Sequence, residues 1–209
     1  MPPDTNDEAP PVPPRVSSEL DRWLSSDSEK TLGGLIDFFG KKSFALVFVL
    51  LLGVPALPLP TGGVTHVFEI IAVLLALQLI AGRDEIWLPR RWRKLELAGT
   101  KQEKFIRGLM KIIRRLERLS RPRLAFLFAH RLSSIVFGLL VAGGSVAAFF
   151  APPFTGLDTI PALGVVLLSL GVLLEDSVVV IAAVICGTIG VALEFVLGAA
   201  VVRVIKGLF

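Results

Sequence analysis

Five polar side chains in this 209-residue sequence stand within or beside apolar stretches, where burial of a polar group is costly. His66 and Glu69 are three residues apart, so they would share one face of a helix. We expect the five to form an intramembrane polar pocket, a candidate proton or cation site; solvated helix ends are the alternative. The predicted pocket consists of His66, Glu69, Gln78, Asp158 and Glu194.

Glu194 has a glycine four residues to either side, at Gly190 and Gly198. Small residues at this spacing form a stripe that allows close packing of helices. We therefore expect Glu194 to reach the pocket only if this stripe packs against the preceding helices. Gly187–Gly190 is also a candidate turn, and the side of the membrane on which the chain ends is left open.

Enzyme motifs are absent from the sequence. It contains no nucleophile elbow, P-loop, paired-histidine zinc motif or glycine-rich dinucleotide loop. One cysteine, Cys186, and two histidines exclude a disulfide framework and a clustered metal site. Paired carboxylates at Asp84-Glu85 and Glu175-Asp176 leave an enzyme acting on lipid-linked glycans open, although solvated helix ends explain them more simply. We expect no catalytic residue, no cofactor and no metal.

Composition points to the membrane. Apolar residues make up 53% of the chain and charged residues 19%, with a mean hydropathy of +0.72. Soluble domains average about 45–50% apolar and about 25% charged residues. The net charge of +4 is too small to imply a nucleic-acid-binding protein. The sequence therefore predicts an all-α, polytopic integral membrane protein.

Charge-poor stretches divide the chain into six segments. The Pro-rich start carries too little apolar surface to fold and is predicted to be a disordered tail. The predicted segments are the tail at 1–15, cytoplasmic or interfacial helices at 16–42, a membrane hairpin at 43–82, a basic cytoplasmic loop at 83–131, a second hairpin at 132–174, and a C-terminal membrane helix and tail at 175–209.

Each predicted hairpin turns at a Pro/Gly cluster that cannot continue a helix. An offset of 94 residues aligns the two clusters, and both hairpins begin beside basic flanks, which favours a parallel internal repeat. The generic chemistry of helical turns is the alternative. Some arms are short, so the hairpins either span the bilayer or are re-entrant. The turn residues are Pro58, Pro60, Gly62, Pro152, Pro153 and Gly156.

The loop between the hairpins holds 15 of the 22 basic residues, which makes it cytoplasmic by the positive-inside rule. Apolar residues at helical spacing predict an amphipathic helix over 101–120 that lies on anionic lipid. A docking face for an acidic partner or a polyanionic glycan is the alternative. Its basic face consists of Lys101, Lys104, Arg107, Lys111, Arg114, Arg115 and Arg118.

Several short motifs of this sequence are typical of one family of membrane proteins. They are Thr31-Leu32-Gly33-Gly34-Leu35-Ile36, Phe39-Gly40-Lys41-Lys42-Ser43-Phe44, the Pro58-x-Pro60 turn, Gln78 with Gly82-Arg83, Trp87-Leu88-Pro89-Arg90-Arg91, Arg121-Pro122-Arg123-Leu124 and Pro161. Through them, roughly residues 30–205 resemble the ExoD family of bacterial membrane proteins. The resemblance implies an inner-membrane protein connected with exopolysaccharide production, without a firmly assigned reaction.

These observations together predict a non-enzymatic, multi-pass protein of the bacterial inner (cytoplasmic) membrane that supports exopolysaccharide synthesis or export. A small cation- or proton-coupled transporter that uses His66, Glu69 and Glu194 is the alternative function. The expected partners are the lipid bilayer, anionic lipids and the polysaccharide biosynthesis machinery, with a homo-oligomer left open. We expect no nucleic-acid partner.

Overall fold

The structure is a computed structural model that describes residues 15–27, 29–57, 64–96, 100–120, 130–151 and 158–208. Over these residues the chain is helical, and its extended contact is a single isolated bridge between Thr31 and Glu96. The predicted all-α class is therefore confirmed for this part of the chain. The predicted tail at 1–14 and the six turn residues lie outside it.

The described part of the chain contains nine helices, most of them apolar or amphipathic. The helices are α1 (Val16–Ser25), α2 (Leu32–Phe39), α3 (Ser43–Leu52), α4 (Val64–Ile80), α5 (Arg90–Arg93), α6 (Thr100–Leu119), α7 (Arg131–Phe150), α8 (Thr159–Leu173) and α9 (Ser177–Leu208).

The chain bends sharply between α2 and α3. The side chain of Thr31 caps α2 by accepting a hydrogen bond from the Gly34 amide at 3.1 Å. Gly40 ends this helix with φ of +51°, a region that favours glycine, and one 3₁₀ turn over Gly40–Lys42 leads into α3. The bend separates α2, which carries Asp37, from α3, which contains no charged residue.

Each helix of the first predicted hairpin packs against a helix of the second: α3 contacts α8, and α4 contacts α7. A Cβ on Gly138 would lie 2.8 Å from the Ile80 side chain and 3.1 Å from the Ala76 carbonyl, so α7 approaches α4 closely. This pairing is the one that two related hairpins would make, although the internal repeat itself stays a prediction.

Helix α9 runs antiparallel to α8 and covers one of its faces. A Cβ on Gly164 would lie 2.6 Å from the Cα of Gly187, so the two backbones nearly touch. Asp176 caps α9 by accepting a hydrogen bond from the Val178 amide at 2.8 Å. The helix is unbroken through Gly187–Gly190, so the candidate turn at this position is wrong.

Two helices are long and apolar enough to cross a membrane, within the part of the chain that the structure describes: Arg131–Phe150 and Ser177–Ala200. Only 28% and 11% of their apolar windows are buried, whereas the core helix of a soluble protein would be mostly buried. The arms Ser43–Leu52, Thr65–Ile80 and Thr159–Leu173 are shorter. The exposed apolar surface makes membrane association plausible.

Candidate functional site

His66 and Glu69 form the centre of the candidate site. They lie in the first turns of α4, and the His66 Nδ1 atom is 2.8 Å from Glu69 Oε2, within hydrogen-bonding distance. The Glu69 side chain is completely buried, whereas that of His66 is 29% exposed. The i, i+3 spacing that suggested a shared helix face thus produces a direct hydrogen bond, in which the imidazole is the more exposed partner.

The His66 ring also joins α4 to α7. It packs edge-to-face against Phe149, with the ring centroids 5.2 Å apart. Since Phe149 lies in the last turn of α7, the start of α4 meets the end of α7. This contact joins one helix of each predicted hairpin.

Asp158 and Glu194 approach the same end from α8 and α9. Asp158 directly precedes α8 and makes no capping hydrogen bond with its side chain. A Cβ on Gly190 would lie 2.8 Å from the Pro161 nitrogen, so this part of α9 is pressed against the start of α8. Glu194 follows one turn later on the same face. No described atom lies within 4 Å of a Cβ on Gly198, so only one end of the predicted glycine stripe is a packing contact.

The three carboxylates are close enough to interact electrostatically. Glu69 interacts with Asp158, and Glu194 interacts with both Asp158 and Glu69. His66 is the basic side chain that is hydrogen-bonded within this group. The structure thus brings together four of the five residues that the sequence suggested: two from α4, one at the start of α8 and one from α9.

Two carboxylate oxygens in this group lack a partner among the described residues: Oε1 of Glu69 and Oε2 of Glu194. A buried acceptor without a donor costs about 1–3 kcal/mol, and more if it is charged. A proton, a cationic group or a hydrogen-bond donor brought by a ligand would remove this cost. In the described residues, no three His, Cys, Asp or Glu side chains are grouped to hold a metal ion.

Gln78 does not belong to this group, which corrects the prediction. It lies near the other end of α4, about 18 Å from His66 along the helix axis. Its amide oxygen accepts from the Trp87 amide at 2.8 Å, and its amide nitrogen donates to the Trp87 carbonyl at 3.1 Å. Gln78 therefore fixes the segment that follows α4. A single amide side chain in an apolar run can hydrogen-bond to a nearby backbone as well as line a pocket.

Ser145 is a polar residue that the sequence reasoning missed. It is completely buried in α7, and its hydroxyl has no partner among the described residues. Phe149 lies one turn later on the same face of α7. The available signal was a single serine in an apolar stretch, four residues before Phe149. It is easily overlooked, because most of its neighbours at 142–148 are also small residues.

The basic helix α6 uses its apolar side within the protein. Ile106, Leu109, Met110 and Ile113 are buried and belong to the same core as Val16, Leu20 and Trp23 of α1. Of its predicted basic face, the side chains of Lys101 and Lys104 lie outside the described residues, while the other five are exposed. Part of the apolar side thus packs within the protein, while Ile112 (51%) and Leu119 (82%) remain exposed, and the binding of α6 to anionic lipid stays a prediction.

Comparisons with known proteins place this fold in a sequence family. The profile described as "Exopolysaccharide synthesis, ExoD" matches residues 16–196. An uncharacterized protein of Synechocystis sp. is 31% identical over 168 residues, covering 79% of this chain and 78% of that protein. Protein ExoD of Rhizobium meliloti is 32% identical over 151 residues, covering 72% of this chain and 62% of that protein.

No solved structure matches the chain. The matched region spans less than two thirds of the length of the Rhizobium protein. These comparisons give no support to the cation- or proton-coupled transporter that the sequence left as an alternative.

Proposed function

The chain belongs to the ExoD family and so has a function related to exopolysaccharide synthesis, and from this premise we propose that it is a multi-pass, non-enzymatic protein of the bacterial inner membrane. In that role it supports the synthesis or export of the polymer by contacting the biosynthesis machinery within the membrane. The observation that carries the membrane part is the outward-facing apolar surface of α7 and α9. Leu132 and Phe195 are 72% and 76% exposed there, and lipid is the solvent that suits them.

The proposed topology has α5 and α6 in the cytoplasm, because the basic residues of the sequence concentrate between α4 and α7. The helical pairs α3–α4 and α7–α8 then start and end at the cytoplasmic side, and both turns lie at the far side or inside the bilayer. The proposed internal repeat supports this orientation, since parallel repeats place equivalent turns at the same depth.

Single cysteines would test this topology in a Cys186→Ser background. A cysteine at Ser120, directly after α6, should stay unlabelled by an impermeant thiol reagent in intact cells. A cysteine at Leu57, which is 45% exposed after α3, should be labelled when the outer barrier is permeable to the reagent. The Ser120 site should react once the inner membrane is opened, which controls for accessibility. Labelling of Ser120 from outside would contradict the proposed orientation.

The proposed working site is the group formed by His66, Glu69, Asp158 and Glu194. It concentrates acidic side chains at one end of an otherwise apolar bundle, and Glu69 among them is completely buried. Structural stability alone does not explain it, because neighbouring carboxylates repel and two of their oxygens lack donors among the described residues. Groups that are costly to bury and contribute little packing are characteristic of functional sites in membranes.

Glutamine substitutions test whether the site is needed. Glu69→Gln keeps an oxygen for His66 but removes the ionisable group, and Glu194→Gln does the same on α9. We expect each to reduce exopolysaccharide yield several-fold in a deletion strain at equal protein level. Glu96→Gln is the matched control, because Glu96 is exposed and outside the site. If all three variants restore production equally, the carboxylates are structural and the proposed site is wrong.

A further inference from the structure

The surfaces of α1 and α6 enclose a groove of about 630 Å³ that is rich in positive charge. This volume lies within the range of small-molecule sites, roughly 300–1,000 Å³. Leu24 of α1 and Met110 of α6 supply apolar surface in it. The remaining lining residues are charged: Asp21, Arg107, Lys111, Arg114, Arg115 and Arg118.

The contact between α1 and α6 fixes the direction in which this groove faces. The Ser17 amide donates to Glu117 Oε1 at 2.9 Å, and the Ser17 hydroxyl donates to Glu117 Oε2 at 2.5 Å. Ile113 of α6 is completely buried in the core shared with Leu20 and Trp23 of α1. With its apolar side held in this way, α6 presents its basic side as the free wall of the groove.

Acidic side chains offset little of this positive charge. Glu117 is turned toward Ser17 and away from the groove. Asp21 is the one acidic residue among those that line the groove, and it pairs with Arg114 at 2.7 Å. Five basic side chains against one carboxylate leave a formal charge of about +4 on the lining.

The spacing of the basic residues brings these charges close together on α6. Arg107 and Lys111, Lys111 and Arg115, and Arg114 and Arg118 are each four residues apart, so they are neighbours on the helix surface. Like charges at this spacing repel each other and destabilise the helix. A bound anion would convert this repulsion into attraction.

We propose that the groove between α1 and α6 binds the clustered phosphate oxygens of a phosphate-bearing ligand. Guanidinium groups match phosphate by parallel, charge-assisted hydrogen bonds, and four of the five basic residues that line the groove are arginines. The apolar surface of Leu24 and Met110 accommodates an uncharged part of the ligand beside its phosphates. The ligand is either a soluble diphosphate compound or the headgroup of an anionic lipid, which share this chemistry.

Binding is tested with the full chain in a zwitterionic detergent, with inorganic pyrophosphate as the soluble probe in isothermal titration calorimetry. The variant Lys111→Glu/Arg115→Glu should bind pyrophosphate at least ten-fold more weakly than the wild type. The matched control is Arg90→Glu/Arg91→Glu, which makes the same charge change on exposed residues of α5. The control should stay within two-fold of the wild type, and size-exclusion profiles should show that both variants are folded.

A second variant tests the geometry as well as the charge. Asp21→Asn removes the acidic residue of the groove and releases Arg114, so pyrophosphate should bind about three-fold more tightly. Its control is Asp37→Asn, which breaks a similar ion pair, since Arg93 Nη2 lies 2.7 Å from Asp37 Oδ2, outside the groove. That control should leave the affinity unchanged.

Native mass spectrometry with phosphatidylglycerol, and with phosphatidylcholine for comparison, identifies the source of the phosphate. Phosphatidylglycerol adducts that pyrophosphate displaces and that the Lys111/Arg115 variant loses support a lipid headgroup. Pyrophosphate binding without such adducts supports a soluble ligand. Equal losses in the groove variant and the Arg90/Arg91 control, or no binding of either probe, would overturn the proposal. None of these measurements uses polysaccharide yield, so they stand apart from the proposed function.

Discussion

The second helices of the two hairpins, α4 and α8, have similar apolar sequences but different surroundings. On α4 an outward stripe is about half exposed, at Val67 (54%), Ile70 (47%), Leu74 (51%) and Leu77 (52%). On α8 nearly every apolar side chain is buried, and only Leu163 is notably exposed, at 37%. The difference arises because α9 lies along α8, while no described helix lies along the corresponding face of α4.

The offset of 94 residues aligns the two faces residue by residue. The exposed stripe of α4 corresponds on α8 to Pro161, Gly164, Leu168 and Gly171. Two large side chains that face outward on α4 are thus glycines on α8, where α9 must approach closely. The comparison shows how one apolar helix keeps an exposed face while another receives a neighbouring helix. The size of the side chains on that face differs, whereas the hydropathy of the two helices is nearly the same.

The largest expected effect compares two leucines at aligned positions. Leu168→Ala on α8 should destabilise the protein by about 2–5 kcal/mol, because it leaves a cavity under α9. Leu74→Ala on α4 should change stability by less than about 0.5 kcal/mol, because that side chain faces outward. Denaturant unfolding in detergent would measure both. Similar losses for the two variants would show that the faces do not differ as described.

A smaller effect is expected from a methyl group at the closest approach of α8 and α9. Gly164→Ala would place its Cβ 2.6 Å from Gly187 Cα, so one backbone must shift, at a cost of about 1–3 kcal/mol. Gly143→Ala on α7 is the control, because no described atom lies within 4 Å of its Cβ. The control should be neutral or slightly stabilising. A neutral Gly164→Ala would mean that α9 packs less tightly than described.

The first helices of the two hairpins, α3 and α7, begin differently, and the smallest expected effect concerns this difference. Gly40→Ala should destabilise the bend before α3 by about 1–2 kcal/mol, because φ of +51° strains a residue with a Cβ. The aligned residue, Ser134, lies within the continuous helix α7, so Ser134→Gly should cost about 0.5–1 kcal/mol through helix propensity alone. Thermal unfolding of the two variants checks both values. If Gly40→Ala were the milder change, the bend would not depend on its backbone conformation.

Much of the fold follows from the sequence, because helices depend on local patterns. The apolar runs predicted α3, α4, α7 and α8, and the i, i+3, i+4 spacing predicted α6. The contact between His66 and Glu69 is also local, since it lies within one turn of α4. Each of these depends on residues that are close together in the chain.

What the sequence left open depends on tertiary contacts. Glu194 approaches Asp158 only because α9 runs antiparallel to α8, a choice that no local pattern determines. The apolar side of α6 suits lipid and protein equally well, and no local pattern shows that Leu109 and Ile113 pack in one core with α1. Hydropathy alone places Gln78 in the pocket, because it does not show that the backbone of Trp87 lies within reach of the Gln78 amide.

Helix α8 is synthesised before α9, which later covers one of its faces, and this order affects how the two helices would insert into a membrane. A nascent chain made only as far as Glu175 presents on α8 a face of Pro161, Gly164 and Gly171, which offers lipid little side-chain surface. That face becomes favourable only when α9 has followed and packed onto it. We expect α8 and α9 to leave the insertion machinery as a pair, whereas α4 can enter lipid alone. A chain truncated after Glu175 should therefore be degraded faster than the full chain in a pulse-chase experiment.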